Sequence, residues 1–352
     1  MTLHLDPATF RDLLADPAAA EGLSAVSGSP LLVVEVSDAA QARSLDGLDI
    51  TLVPAVVIAV APDPGSMTPA ACAAADIVLT EDAAAGAPFV APAAGIGPAI
   101  GKIAGVLAAR PVAGAALALL LRSSASLPVP AALVAESATY SALQDGAEFR
   151  DWRSGRPRRP PEPGSQRVLT TQDGSRLEIT LARPARRNAV DRLMRDELAR
   201  ALARAVTDPG AQVALRALGP DFCAGGDLDE FGTRPDPALA HLIRLTRSPA
   251  MLMSLLAGRT TAYLHGACLG AGLELPAFAG RVIATEDARF GLPELQLGLV
   301  PGAGGTASLP RRIGRWRTAY LALSDQRIGA REALDWGLVD AIAPAPGPGG
   351  SR

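Results

Sequence analysis

Two kinds of apolar pattern alternate along this chain. Short continuous runs rich in Val, Ile and Leu, such as Leu31–Val36 and Ala55–Ala61, are bounded by Pro, Gly or Asp and predict buried strands. Asp76–Thr80 is a third such run. From Ile103 to Leu121, and again from Pro130 to Trp152, apolar residues recur every three or four positions, which predicts two packed helices. Farther on, Arg176–Leu181 alternates like a half-exposed strand. Asp191–Val206 carries Leu193, Met194, Leu198 and Leu202 at helical spacing, and Val213–Leu218 reads as a strand. Strand–helix alternation continues to Ile342, and Pro344–Arg352 reads as a flexible tail of Pro, Gly and Ser. The fold class is α/β.

The pattern breaks between Arg150 and Pro163, where Arg153-Ser154-Gly155-Arg156-Pro157-Arg158-Arg159-Pro160-Pro161 can continue neither a helix nor a strand. The expected organisation is therefore an N-terminal α/β and helical unit over 1–150, a solvated linker over 151–166, a second α/β unit over 167–343 and a tail over 344–352.

With 352 residues, 49% of them hydrophobic and 20% charged, the chain has enough apolar side chain for a large core and is expected to fold as a soluble globular protein. A net charge of −3 argues against recruitment to nucleic acid or a membrane surface. The three cysteines, Cys72, Cys223 and Cys268, lack the spacing of a disulfide scaffold or a metal site, which points to a reducing cytoplasm. His4, His241 and His265 are scattered, so neither a zinc centre nor a His-dependent triad is expected, and acid–base work falls to carboxylates. No basic region followed by an apolar stretch opens the chain, and Val112–Leu121 is too short to span a bilayer. Gly95–Lys102 has the wrong glycine spacing for a phosphate loop.

Candidate chemistry concentrates in three downstream segments. Phe222-Cys223-Ala224-Gly225-Gly226-Asp227-Leu228 and His265-Gly266-Ala267-Cys268-Leu269-Gly270-Ala271-Gly272-Leu273-Glu274-Leu275 each follow a strand, and their small residues allow a ligand close to backbone N–H groups. Two such donors make an oxyanion hole. In the third, Phe290–Thr306, Glu294 sits beside Pro293 among apolar residues that should raise its pKa and suit it to proton transfer.

Taken together and in order, the three segments resemble the enoyl-CoA hydratase/isomerase, or crotonase, superfamily over about Val168 to Ile342. The resemblance implies a crotonase-type β-β-α spiral domain preceded by a smaller α/β domain with helices. It implies Ala224 and Ala271 as the backbone donors to a thioester oxygen, with Ala271 standing where most members have Gly. Glu274 and Glu294 match the two positions that are both glutamate in hydratases; Glu274 would activate water and Glu294 would exchange the α-carbon proton. Arg183, Arg187 and Ala189 resemble the loop that shapes the coenzyme A nucleotide site, and Gly225, Asp227, Leu228 and Gly270 fall on the substrate-binding turns. The stretch Phe231–Leu256 occupies the acyl-pocket region. The implied activity is addition or removal of water on an acyl-CoA thioester. Isomerisation, thioester hydrolysis and a non-catalytic helper role remain open. No metal and no separate cofactor are implied, since coenzyme A enters with the substrate, and the assembly expected is a homo-oligomer, a trimer or hexamer.

The chain departs from the family after Ile342, where members carry covering helices. Ala113–Arg153 looks like that helical region placed upstream. Ala75–Ala83 is similar to Arg281–Ala288, so the N-terminal half reads as a worn copy of the same fold.

Overall fold

The computed structural model describes residues 2–344 apart from 20, 125, 161, 163, 234 and 235; the tail expected over 344–352 lies almost wholly outside the described residues. The first half builds a five-stranded sheet from β1 (Thr2–Leu5), β2 (Leu31–Glu35), β3 (Val56–Val60), β4 (Ile77–Leu79) and β5 (Phe89–Val90), all parallel and in chain order. Three short helices, α1 (Pro7–Ala15), α2 (Ala39–Arg43) and α3 (Pro69–Ala73), connect them, and each begins where Asp6, Asp38 or Thr68 accepts from the free N–H groups of the first turn. One face of the sheet, with Leu32, Val34 and Val57, packs under these helices. The other, with Val33, Ile58 and Leu79, joins the core of the second half. Both faces are therefore dry, which is why the strands read as unbroken apolar runs.

Four helices follow: α4 (Ile96–Ala109), α5 (Pro111–Ser124), α6 (Val129–Gln144) and α7 (Ala147–Ser154). Two had been expected. Pro111 forces Arg110 out of helical geometry (φ −137°, ψ 58°), and α4 and α5 meet at 113°. Asp145 and Gly146 break the second stretch in the same way, and α7 runs to Ser154, so the connector begins four residues past the expected boundary. Among the described residues no single helix is long and apolar enough to cross a membrane.

In the second half, β6 (Val168–Asp173) and β7 (Arg176–Leu181) form a hairpin, followed by α8 (Arg192–Thr207) and β8 (Gln212–Ala217). The acyl-pocket stretch expected as one helix is two, α9 (Pro237–Thr246) and α10 (Pro249–Leu255), because Pro249 restarts it; Leu242 and Leu255 face outward while Met253 is buried. Next come β9 (Thr260–Leu264), β10 (Ala267–Leu269), α11 (Ala271–Glu274), β11 (Arg281–Ala284) and β12 (Arg289–Gly291). Last are α12 (Gly305–Leu323), β13 (Ile328–Gly329), α13 (Ala330–Asp335) and β14 (Ala341–Ile342). The main sheet runs β14-β11-β9-β8-β7-β6, parallel except for the hairpin, and β10-β12-β13 forms a small second sheet.

The halves share one core. Helix α12 reaches under the first sheet, where Trp316 Nε1 donates to Cys72 O at 2.9 Å and Arg317 Nε to Phe89 O at 3.1 Å. Helices α5 and α6 lie against α12, and α6 also packs along α9. The upstream helices thus cover the region in which the three glycine-rich segments meet.

Candidate active site

The two glycine turns are held side by side by the strands that lead into them. Cys223 N donates to Ala267 O at 3.0 Å and Leu269 N to Cys223 O at 2.9 Å. Both cysteine side chains are buried in this seam, and burial raises their thiol pKa values, that of Cys223 to about 12, so they pack rather than react. Gly270 has φ +50°, and a Cβ there would overlap Glu294 Oε1. Only glycine lets that carboxyl lie against the turn.

A cavity of about 370 Å³ opens where the turns meet, lined among others by Gly226, Ala271, Glu274, Glu294 and, from the upstream half, Glu136. Glu274, on α11, is 2% exposed and its Oε2 accepts from Ala303 N and Gly305 N, both at 2.8 Å. Glu136, on α6, is equally buried; it accepts from Gly304 N at 2.7 Å and from Thr306 N and Oγ1 at 2.8 and 2.7 Å. Four successive N–H groups at the start of α12 are therefore taken alternately by two glutamates from opposite halves of the chain. A helix start needs such acceptors and its dipole favours their charge.

Glu294 is treated differently. Its Oε2 is buried and has no hydrogen-bond partner among the described residues. Burial raises the pKa of all three acids, Glu294 to about 8 and Glu136 to about 7, while Glu274 is pushed well up by burial and then by the charges of Glu294 and Glu136. Backbone N–H donors pull the other way on all three, with Ala303 and Gly305 acting on Glu274 and Gly304 and Thr306 on Glu136, so the three acids in this dry cavity titrate as one linked set.

The enoyl-CoA hydratase/isomerase family model matches residues 171–346, half of the chain. The chain belongs to that family. It is 38% identical over 172 residues to the 2,3-dehydroadipyl-CoA hydratase of Escherichia coli, covering 48% of this chain and 66% of that protein. With the mevalonyl-coenzyme A hydratase of Beauveria bassiana it shares 34% over 180 residues, 49% of this chain and 64% of the relative. An enoyl-CoA isomerase/hydratase of Mycosarcoma maydis is 36% identical over 193 residues, 52% of this chain and 69% of the relative. The chain thus spans slightly less than two thirds of the first two relatives. The crystal structure of an enoyl-CoA hydratase from Thermoplasma volcanium is 33% identical, with a TM-score of 0.47 over 51% of this chain and 73% of that one.

Within this crotonase-family domain, the residues singled out from sequence fare unequally. Glu274, Glu294, Ala271 and Asp227 line the cavity. Ala224 does not: its N–H donates to Arg187 O at 2.9 Å and is spent inside the protein. Two residues on, Gly226 N–H makes no hydrogen bond among the described residues, and it is Gly226 that shares the cavity wall with Ala271. Arg183 is also spent. Its guanidinium is 5% exposed and pairs with Glu162 at 2.6 Å and Asp227 at 2.7 Å, so it ties the linker to the glycine turn rather than awaiting a phosphate. Asp227 accordingly is an ion-pair partner, and it also accepts from Asp229 N rather than capping a helix. Arg187 is half exposed and paired with Asp221 at 2.6 Å. Ala189 O accepts from Arg183, Leu228 O accepts from Arg153, and Gly225 (φ +97°) and Gly270 shape the turns from behind the wall.

The linker is exposed over 154–160, as a solvated connector should be, and is tied down at two points, where Arg159 pairs with Asp229 at 2.9 Å and Arg158 donates to Gly232 O at 3.2 Å. Glu136 and Gly226 escaped the sequence reading. For Glu136 the available signal was an acid inside an otherwise apolar helix, which buried helices carry only when it has partners.

Proposed function

We propose that this protein adds water to, or removes it from, a 2-enoyl-CoA thioester through an enolate. The observation that supports this most directly is the unequal hydrogen bonding of Glu274 and Glu294 in a cavity whose wall also holds Gly226 and Ala271, whose N–H groups have no partner among the described residues. In the hydration direction Glu274, ionised and fixed by Ala303 and Gly305 N–H, takes a proton from water as its oxygen bonds to the β-carbon. The displaced π electrons reach the thioester oxygen, where Gly226 and Ala271 N–H would hold the negative charge; one such donor contributes about 2.7–4 kcal/mol. Glu294 then gives its proton to the α-carbon. The product is the 3-hydroxyacyl thioester, and the proton gained by Glu274 returns to Glu294 to reset the pair. No metal or separate cofactor enters this reading.

The test follows the loss of conjugated enoyl-thioester absorbance with crotonyl-CoA in the wild type and in Glu294→Gln. The expected loss of kcat is about 10²–10⁴-fold. Because Glu294 must carry a proton to react, hydration by the wild type should be fastest below its raised pKa of about 8 and fall as pH rises through it. Equal rates in both proteins, or a rate rising through pH 8, would overturn the assignment.

A further inference from the structure

The cavity that holds the three glutamates is also bounded by α6 and α9, and its wall there is polar. Helix α6 presents Ser137, Tyr140 and Gln144, and Gln144 Oε1 is buried with no partner among the described residues. Four arginines line the cavity. Arg192 has Glu230 at 3.8 Å, and Arg195 and Arg247 each have Asp196 at 2.7 Å. Arg244, on α9, has no carboxylate partner among the described residues.

Its guanidinium is nevertheless fixed. Nε donates to Ser137 Oγ at 3.0 Å, Nη2 donates to Ser137 O at 3.2 Å and to Ser141 Oγ, and the plane lies 4.7 Å from the centre of the Tyr140 ring. Nη1 makes no hydrogen bond among the described residues. The same Tyr140 ring abuts Gly302, where an added Cβ would stand 2.5 Å from its Cδ2, so the cation sits one aromatic ring away from the turn that grips Glu274. Arg244 is half-buried, and an arginine stays charged where burial opposes it, so an anion entering the cavity would meet a partly desolvated guanidinium with no carboxylate of its own. Glu136 does not supply that counter-ion, since its two oxygens are engaged by Gly304 and Thr306.

We infer that this wall receives the far end of the acyl chain and that this end is a carboxylate, paired with Arg244. A carboxylate matches the planar guanidinium fork and would bring the missing counter-charge with the substrate. The inference rests on the enoyl-thioester reading above and narrows it to ω-carboxylated acyl groups.

The test uses two 2-enoyl-CoA thioesters of equal length, one ending in a carboxylate and the other in its methyl ester, together with their saturated analogues as binding probes. The wild type should favour the acid in kcat/KM and in binding by about tenfold or more. Arg244→Leu should cut that ratio by at least about tenfold, with Arg244→Lys between the two. A wild-type ratio near one would overturn the proposal, as would a ratio unchanged in Arg244→Leu. Should that variant fail to melt cooperatively, a Lys variant with the wild-type ratio overturns it equally. If the wild type binds the saturated acid more tightly than the ester but turns over neither enoyl thioester, the hydration reading fails and this subsite stands. If it binds neither, both fall.

Discussion

Each half of this chain holds a parallel sheet whose strands run in chain order, and each buries a carboxylate at a strand end, yet the two are handled in opposite ways. In the first half Asp76 is 1% exposed, accepts from Val57 N at 2.9 Å and is clasped by Arg122 through two contacts of 2.8 and 2.5 Å. Arg122 spends its remaining donors on Ile50, Val53 and Ala55 carbonyls. In the second half Glu294, 8% exposed, is also buried but keeps an oxygen with no partner among the described residues, beside a glycine turn and an open cavity. Burial alone therefore does not mark a reactive acid. The satisfied one locks α5 to the sheet; the unsatisfied one has a raised pKa, as proton transfer would require.

The largest expected effect breaks that contrast from the structural side. Asp76→Ala strands the Arg122 guanidinium in the core and should cost about 3–5 kcal/mol of stability. Glu294→Gln removes an acid that has no counter-ion and should leave the denaturation midpoint unchanged or raise it, whatever it does to the rate. Urea titrations of both variants decide the matter: equal losses would mean that the two acids play the same structural part.

Glu136 stands between these cases, since it is fully hydrogen-bonded yet belongs to the cavity. Its partners are the alternate N–H groups of the turn that fixes Glu274, so it is a positioning residue delivered by the upstream half. Glu136→Ala should lower stability by about 1–3 kcal/mol and lower kcat more than it raises KM, while Glu136→Gln, which keeps an acceptor, should restore much of kcat. A loss of stability with kcat untouched in both variants would leave Glu136 a purely structural residue.

What could be read from sequence follows the range of the interaction responsible. Strands such as Val56–Val60 were legible because apolar periodicity is a local signal, while Glu274 and Glu294 were paired only through the family resemblance that the three segments carry. The break at Pro111 was local too, but apolar spacing on either side masked it. Ala224 came from the resemblance, and what sets its N–H apart from that of Gly226 is the Arg187 carbonyl, brought in by two successive residues in the left-handed region, Arg187 and Asn188 at φ +52°. Arg183 resembled a free phosphate ligand because its partners lie 21 and 44 residues away. The bonds of Glu136 span 168 and 170 residues, beyond anything a local pattern reports.

The smallest effect sharpens the comparison at a short pattern that recurs in the two halves. Ala87-Pro88-Phe89-Val90-Ala91-Pro92-Ala93 runs beside Ala288-Arg289-Phe290-Gly291-Leu292-Pro293-Glu294, with Ala, Phe and Pro in common and Ala93 where the second half has its acid. Strand β5 edges the first sheet whereas β12 is the middle strand of the small one, and Ala93 is exposed whereas Glu294 is buried beside the cavity that α6 helps to line. Ala93→Glu should therefore shift stability by no more than about 0.5 kcal/mol. The new carboxyl should titrate near the ordinary glutamate value of about 4.3, readable by NMR. A proton held there to neutral pH would mean that the sequence around the proline, and not the cover of α6 and its glycine turn, is what raises Glu294.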